Sequence, residues 1–257
     1  MGFELDAVTM DGAIERIAQS VGRAEGGWVI TPNLDILRQI ITDAEVRSLA
    51  GQTTLRLADG MPLVWASRLR RTPLPERVAG SDLIFPLCAR AAREGWTVFL
   101  LGGNPGAAVA AADVLRQRSP GVQIVGCECP ALGFENDPSY LTHLESTLRT
   151  LNPTLVFVAL GAPKQERLIA RLRPTLPGAW FFGIGVTFSF VSGEIARAPL
   201  WMRGVGLEWL HRLAHEPRRL ARRYLALGLP FGVRLLVRSI FEGARTRTSA
   251  STIAARP

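Results

Sequence analysis

Five short strings place polar or small residues just beyond apolar runs, where the end of a buried strand would hand them to a ligand. In Leu57-Ala58-Asp59-Gly60, a carboxylate stands beside a residue that permits close approach. That suits a general base, and an ordinary turn aspartate accounts for it equally. Thr31 and Asn33, in Thr31-Pro32-Asn33-Leu34-Asp35, offer a hydroxyl to a ligand and an amide that could cap the following helix, and capping is the simpler account of Asn33. Gly102 and Gly103 open a strand-to-helix turn whose backbone N–H groups could approach phosphate. The turn lacks the G-x-G-x-x-G spacing, no acidic residue is expected at the end of the next strand, and tight-turn geometry explains it as well. Gly161, Pro163, Lys164 and Gln165 follow the most apolar run, and Lys164 is the only lysine among 30 Lys and Arg residues. Its retention fits a need for a compact ammonium charge, or chance. Gly183 and Gly185 give a nucleotide another place to touch backbone.

These strings need strands behind them. Apolar runs of strand length cover Trp28 to Thr31, Thr54 to Ala58, Thr97 to Leu101, Val122 to Val125, Thr154 to Leu160 and Ala179 to Ile184. Strands apolar on both faces belong to parallel sheets, and the segments between them (33–50, 81–94, 105–117, 138–151 and 164–172) have helical length and charge spacing. The predicted fold is α/β, a Rossmann-like, doubly wound, mostly parallel sheet with a C-terminal basic helical appendage. The expected division is a catalytic, nucleotide-sugar-binding unit over 1–194, an appendage over 195–244 and a disordered end over 245–257.

The appendage reads as helices over 201–215 and 216–227, the second begun at Glu216-Pro217. Arg212, Arg219 and Arg222 fall on one helical face if that break is gentle, a cluster that would suit a diphosphate. Tyr224 to Phe241 is the most apolar late stretch; Pro230, Arg234 and Arg238 interrupt it short of the ~20 residues of a membrane span. It is expected to lie on a membrane and not cross it.

Composition sets the frame. A chain of 257 residues with 47% hydrophobic and 20% charged residues has the balance of a folded globular protein. Its net charge of +8 is unevenly spread: from Ile195 onward twelve arginines face three glutamates, a balance of +9, which leaves −1 for everything before. Such a tail points to phosphate groups, whether on a membrane, a diphosphate or a nucleic acid, or to a merely solvated basic helix. No basic segment followed by an apolar one marks the N-terminus, so a cytoplasmic location is expected. Cys88, Cys127 and Cys129 are odd in number and lack zinc-site spacing, and so read as reduced and structural.

Taken in order, TPNLD, ADGMPLVWA, PERVAGSDL, LLGG, LGAPKQE, GIGVTF, RAPLWM and GLEWLHRLAHEPRRLARRYL resemble the WecG/TagA/CpsF family of bacterial glycosyltransferases. The family makes teichoic acid linkage units, enterobacterial common antigen and related surface glycans. The resemblance implies inverting transfer of a sugar, commonly N-acetylmannosamine or its uronic acid, from a UDP-sugar donor to a polyprenyl-diphosphate-linked saccharide acceptor. It implies no essential metal, and no cofactor is expected. Asp59 would be the general base, with Thr31 and Asn33 near the reacting sugar. Arg77 and Gln165 match the family's ERV-x-G arginine and PKQE glutamine. Gly183 and Gly185 would lie beside the nucleotide, and Arg212, Arg219 and Arg222 would clamp a diphosphate. Ser189 stands where the family usually has Asp, and Arg167 where it often has Trp. The expected place of work is the anionic inner membrane surface, as a peripheral protein. A nucleotide-binding protein without transferase activity is the alternative; nucleic acid is not an expected partner, and whether the chain forms a homo-oligomer is open.

Overall fold

The computed structural model describes residues 2–254, with the side chains of Leu200, Arg219 and residues 245–254 outside the described residues. All six apolar runs are strands of one parallel sheet: β1 Gly27–Ile30, β2 Leu55–Arg56, β3 Thr97–Gly102, β4 Gln123–Glu128, β5 Leu155–Ala159 and β6 Trp180–Gly183. Their order across the sheet is β2-β1-β6-β5-β3-β4. Successive residues point to opposite faces, which explains why the central strands β1, β5 and β6 carry no polar side chain at any position. Val29, Leu100, Phe157 and Phe182 enter one core, and Trp28, Phe99, Val158 and Phe181 enter the other. β4 runs on to Glu128, so an acidic residue does end the strand after the glycine turn, contrary to expectation.

Helices cover both faces. α1 Met10–Gly22 is absent from the sequence expectations, although Thr9 caps it by accepting from the Gly12 N–H. The expected helix over 33–50 is two, α2 Leu34–Thr42 and α3 Ala44–Gly51. Asp43 divides them: its backbone is extended and its carboxylate accepts from the N–H groups of Glu45 and Val46, starting a second helix. α4 Met61–Leu69, α5 Gly80–Glu94, α6 Ala107–Arg118, α7 Pro138–Leu151, α8 Lys164–Leu172 and α9 Thr187–Val191 complete the body. The chain leaves β3 toward β4 and β5 toward β6, opposite directions from adjacent strands. A crevice therefore opens at their carboxyl ends, where such sheets bind ligands.

The tail departs from its expected two helices. α10 Leu200–Gly204 and α11 Glu208–His215 are split at Gly206, whose φ of +76° favours glycine and where a Cβ would lie 2.7 Å from that of Met61. α12 Pro217–Ala221 follows an abrupt break at Glu216 (φ −130°, ψ 56°), so Arg212 does not share a continuous helix with Arg219 and Arg222. A π-helical segment, Arg222–Gly228, then runs directly into α13 Leu229–Ala254. The wider π turn accommodates Pro230 without ending the helix. Arg222–Ala244 is therefore one continuous helix of 23 residues, whose most apolar 18-residue window has a mean hydropathy of 1.4, so the expected interruption at Pro230 does not shorten it. One side of this helix packs on the body, where Leu235 meets Leu37, Leu63 and Ala66. The other exposes Leu229, Val233, Val237 and Phe241. The backbone of α13 continues to Ala254, into the segment expected to be disordered; residues 255–257 lie outside the described residues.

Candidate active site

Asp59 sits in the loop after β2, and two backbone hydrogen bonds fix it there. Its N–H donates to Pro32 O (2.9 Å), joining it to the loop after β1, and the Val78 N–H donates to Ala58 O (2.8 Å), bringing Arg77 alongside. Arg77 Nη1 then lies 3.2 Å from Asp59 Oδ1. The Asp59 side chain keeps 24% of its surface accessible. Desolvation is the main cause that pushes its carboxyl up to about 7; Arg77 pulls it down, Glu208 and Asp82 push it up, and Arg197 pulls it down. A carboxyl poised near neutrality is what general-base chemistry at physiological pH requires.

Around Arg77 gathers a charge network shared by body and tail. Arg77 reaches Asp82 (2.7 Å) and Glu208 (3.5 Å), and Asp82 is also held by Arg197 (2.7 Å) and Arg203 (3.2 Å). Arg197 and Arg212 both stand over the Phe190 ring, at 5.9 and 5.5 Å from its centroid. Among the described residues the buried Nε–H groups of Arg197, Arg203 and Arg212 find no hydrogen-bond acceptor, although Arg197 Nε lies 3.9 Å from Glu208 Oε1. Leaving a buried donor unpaired costs on the order of 1–3 kcal/mol, and guanidinium groups are well suited to an acceptor-rich group such as a phosphate.

The other expected residues divide by role. Thr31 is buried at the end of β1, its hydroxyl donating to Gly183 O (3.4 Å) and facing Gly80. Asn33 caps α2, accepting from the Asp35 and Ile36 N–H groups, as the simpler reading held. Gln165 is buried and acts as a clamp: its Oε1 accepts from the N–H groups of Gly161 (3.2 Å) and Gly185 (3.0 Å), and its Nε2 donates to Glu166 (2.9 Å). A Cβ at Gly183 would lie 2.8 Å from that Nε2, so glycine is required there for close packing. Pro163 precedes α8 after a cis peptide bond. Gly102 and Gly103 have positive φ, and the Gly103 N–H is already used by Ala159 O (2.7 Å), which favours the tight-turn account. Lys164 pairs with Glu135 (2.8 Å) beside the Phe134 ring, bracing two neighbouring loops. Arg222 neighbours Arg223, which reaches buried Asp35 (2.7 Å). Among the described residues no contact joins Arg222 to Arg212, and the Arg219 side chain lies outside them. All three cysteines are free.

A model of the glycosyl transferase WecG/TagA/CpsF family matches residues 1–245. The chain belongs to that family. It is a glycosyltransferase of cell-surface polysaccharide synthesis, acting on a sugar donor and an acceptor. Within this WecG/TagA/CpsF enzyme, sequence reasoning quoted Asp82, Arg197 and Glu208 inside longer strings without giving them a role, and passed over Arg203. Only folding brings 77, 82, 197 and 208 together.

Gln165→Ala is expected to preserve the secondary structure while slowing transfer by roughly 10- to 100-fold, because the Gly161 and Gly185 turns lose their common acceptor and drift. Unchanged kinetics over a range of donor concentrations, measured beside circular dichroism, would reduce Gln165 to a helix-start residue.

Proposed function

We propose that this enzyme transfers a sugar from a UDP-sugar to a polyprenyl-diphosphate-linked saccharide, with inversion, at the inner membrane surface. The observation that carries the reading is the Asp59 carboxyl, raised to about 7 and paired with Arg77 at the carboxyl end of a parallel sheet. Asp59 takes the proton from the acceptor hydroxyl as its oxygen bonds to the anomeric carbon. The bond from that carbon to the diphosphate oxygen breaks on the opposite face, and the electron pair leaves with UDP. The guanidinium groups of Arg197, Arg203 and Arg212 suit the charge that develops on the diphosphate. The loops holding Thr31, Gly161, Gly183 and Gly185 would cradle the donor. The exposed face of α13, apolar with Arg234 and Arg238 among its residues, supports seating in an anionic membrane surface with its other face still on the body.

The test is transfer from a panel of UDP-sugars to a short-chain polyprenyl-diphosphate saccharide, with product configuration read by NMR. Turnover with inversion supports the reading. Donor binding without transfer or hydrolysis throughout the panel would favour a binding protein instead.

Transfer is also expected to persist undiminished in a chelator, because guanidinium groups face the place proposed for the diphosphate and no Asp-x-Asp pair follows any strand. Loss of turnover in chelator with recovery on adding magnesium or manganese would contradict this.

A further inference from the structure

We propose that Asp82 is a positioning residue, one carboxylate that aims Arg77 at the general base and docks the tail's Arg197 and Arg203 over the crevice. The inference rests on the reading of Asp59 as that base. Asp82 lies in the first turn of α5, and both of its oxygens are engaged. Oδ2 takes Arg77 Nη2 at 2.7 Å, while Oδ1 takes Arg197 Nη1 at 2.7 Å and Arg203 Nη1 at 3.2 Å. Arg197 is fixed further by donating from Nη2 to Ser81 Oγ (2.8 Å). Three guanidinium groups this close repel one another unless anions lie between them, and Asp82 is the anion common to all three. It is thus a junction where the body's base assembly and the tail's first helix share a partner.

Loss of this charge acts in two directions. The charged groups facing Asp59 are Arg77 and Asp82 from the body and Arg197 and Glu208 from the tail. Without Asp82, Asp59 loses a negative neighbour and Arg77 is left to Asp59 and Glu208, so ionisation of the base becomes easier. Arg197 and Arg203 meanwhile lose their anchor, so closure becomes harder. A residue that only supported the fold would lower activity equally at every pH. Asp82 instead predicts a deficit that is largest on the alkaline plateau and smallest on the acid side.

The experiment compares full-length Asp82→Asn and Asp82→Glu with wild type in three readings. These are the pH profile of transfer, titration of the Asp59 carboxyl carbon by ¹³C NMR, and the rate of tryptic cleavage after Arg197 and Arg203. For Asp82→Asn the alkaline plateau should fall roughly 10- to 100-fold. The acid limb and the Asp59 titration should both move to lower pH, and tail cleavage should accelerate. Asp82→Glu, which keeps the charge one methylene further out, should recover part of the plateau and of the tail's protection. A lowered plateau with an unmoved Asp59 titration would overturn the proposal, as would unchanged tail cleavage. A glutamate variant behaving like the asparagine variant would also overturn it, and glutamate is the deciding variant should asparagine not fold. Failure of the Asp59 reading looks different: Asp59→Asn would retain turnover and wild type would show no acid limb, while the carbon titration and tail cleavage would still report on Asp82.

Discussion

Asp59→Asn is expected to slow transfer by about 10²–10⁴-fold, roughly 3–5 kcal/mol on the barrier, with the fold intact. The amide keeps the shape and can still accept from Arg77, so the arrangement survives while the proton acceptor is lost. Because the carboxyl is raised to about 7, kcat/KM of the wild type should fall about tenfold for each pH unit below that value, as the base becomes protonated. The same shift has a consequence for stability with a definite sign. A carboxyl whose folded value lies above its unfolded value binds protons more readily when folded, so it favours folding at low pH. That contribution is lost as pH rises from the ordinary carboxylate range through about 7. Above pH 7 the buried charge therefore costs stability, and asparagine removes the cost. The variant should unfold at a higher temperature than wild type at pH 8 and lose that advantage toward pH 5. A slow enzyme that is also more stable would identify Asp59 as a group held against its own solvation for chemistry. Near-normal turnover, or a flat pH profile in the wild type, would sink the role.

The strands were legible because burial on both faces leaves no choice of residue: Leu155–Ala159 is apolar throughout, and its boundaries lie within one residue of the expected ones. Asn33 and Asp43 show both sides of local capping. The first was legible as a cap, while the second was passed over, although aspartate after threonine can start a helix as well as continue one. Gln165 could be named but its geometry could not, since its partners Gly161 and Gly185 belong to two different strand-end turns. Asp82 and Glu208 escaped for a deeper reason: the ion pairs of Asp82 span 5 to 121 residues and Glu208 reaches back to Arg77, separations that leave no periodicity. In the tail, the π segment Arg222–Gly228 packs against α2, a tertiary contact that propensity does not register. Lys164, singled out for rarity, proved to brace Glu135.

Truncation before Ile195 is expected to abolish transfer while leaving a body that folds and binds nucleotide. The two sheet-face cores that carry the fold contain no residue from the tail, so their burial survives the cut. What is lost lies at the crevice. Arg197 and Arg203 leave Asp82, Glu208 leaves Arg77, and Arg212 leaves the Phe190 ring. Removal of a single preorganised donor to developing charge typically costs about 10²–10³-fold, so losing three guanidinium groups should bring transfer below detection. The cut also strips Leu235 from Leu37, Leu63 and Ala66, so the shortened protein should melt lower and self-associate unless detergent covers α4. Liposome binding should fall in parallel, since arginines near an anionic surface contribute about 1 kcal/mol each. The decisive comparison uses a water-soluble acceptor, which makes membrane seating irrelevant, and adds a full-length variant with Arg212, Arg219 and Arg222 replaced. If tail arginines act on the diphosphate, that variant stays folded and is slow even with the soluble acceptor. If they act only on lipid headgroups, it turns over the soluble acceptor at the wild-type rate and fails only with vesicles. A truncated protein that matched the full-length rate on the soluble acceptor would refute closure and leave the tail as an anchor alone.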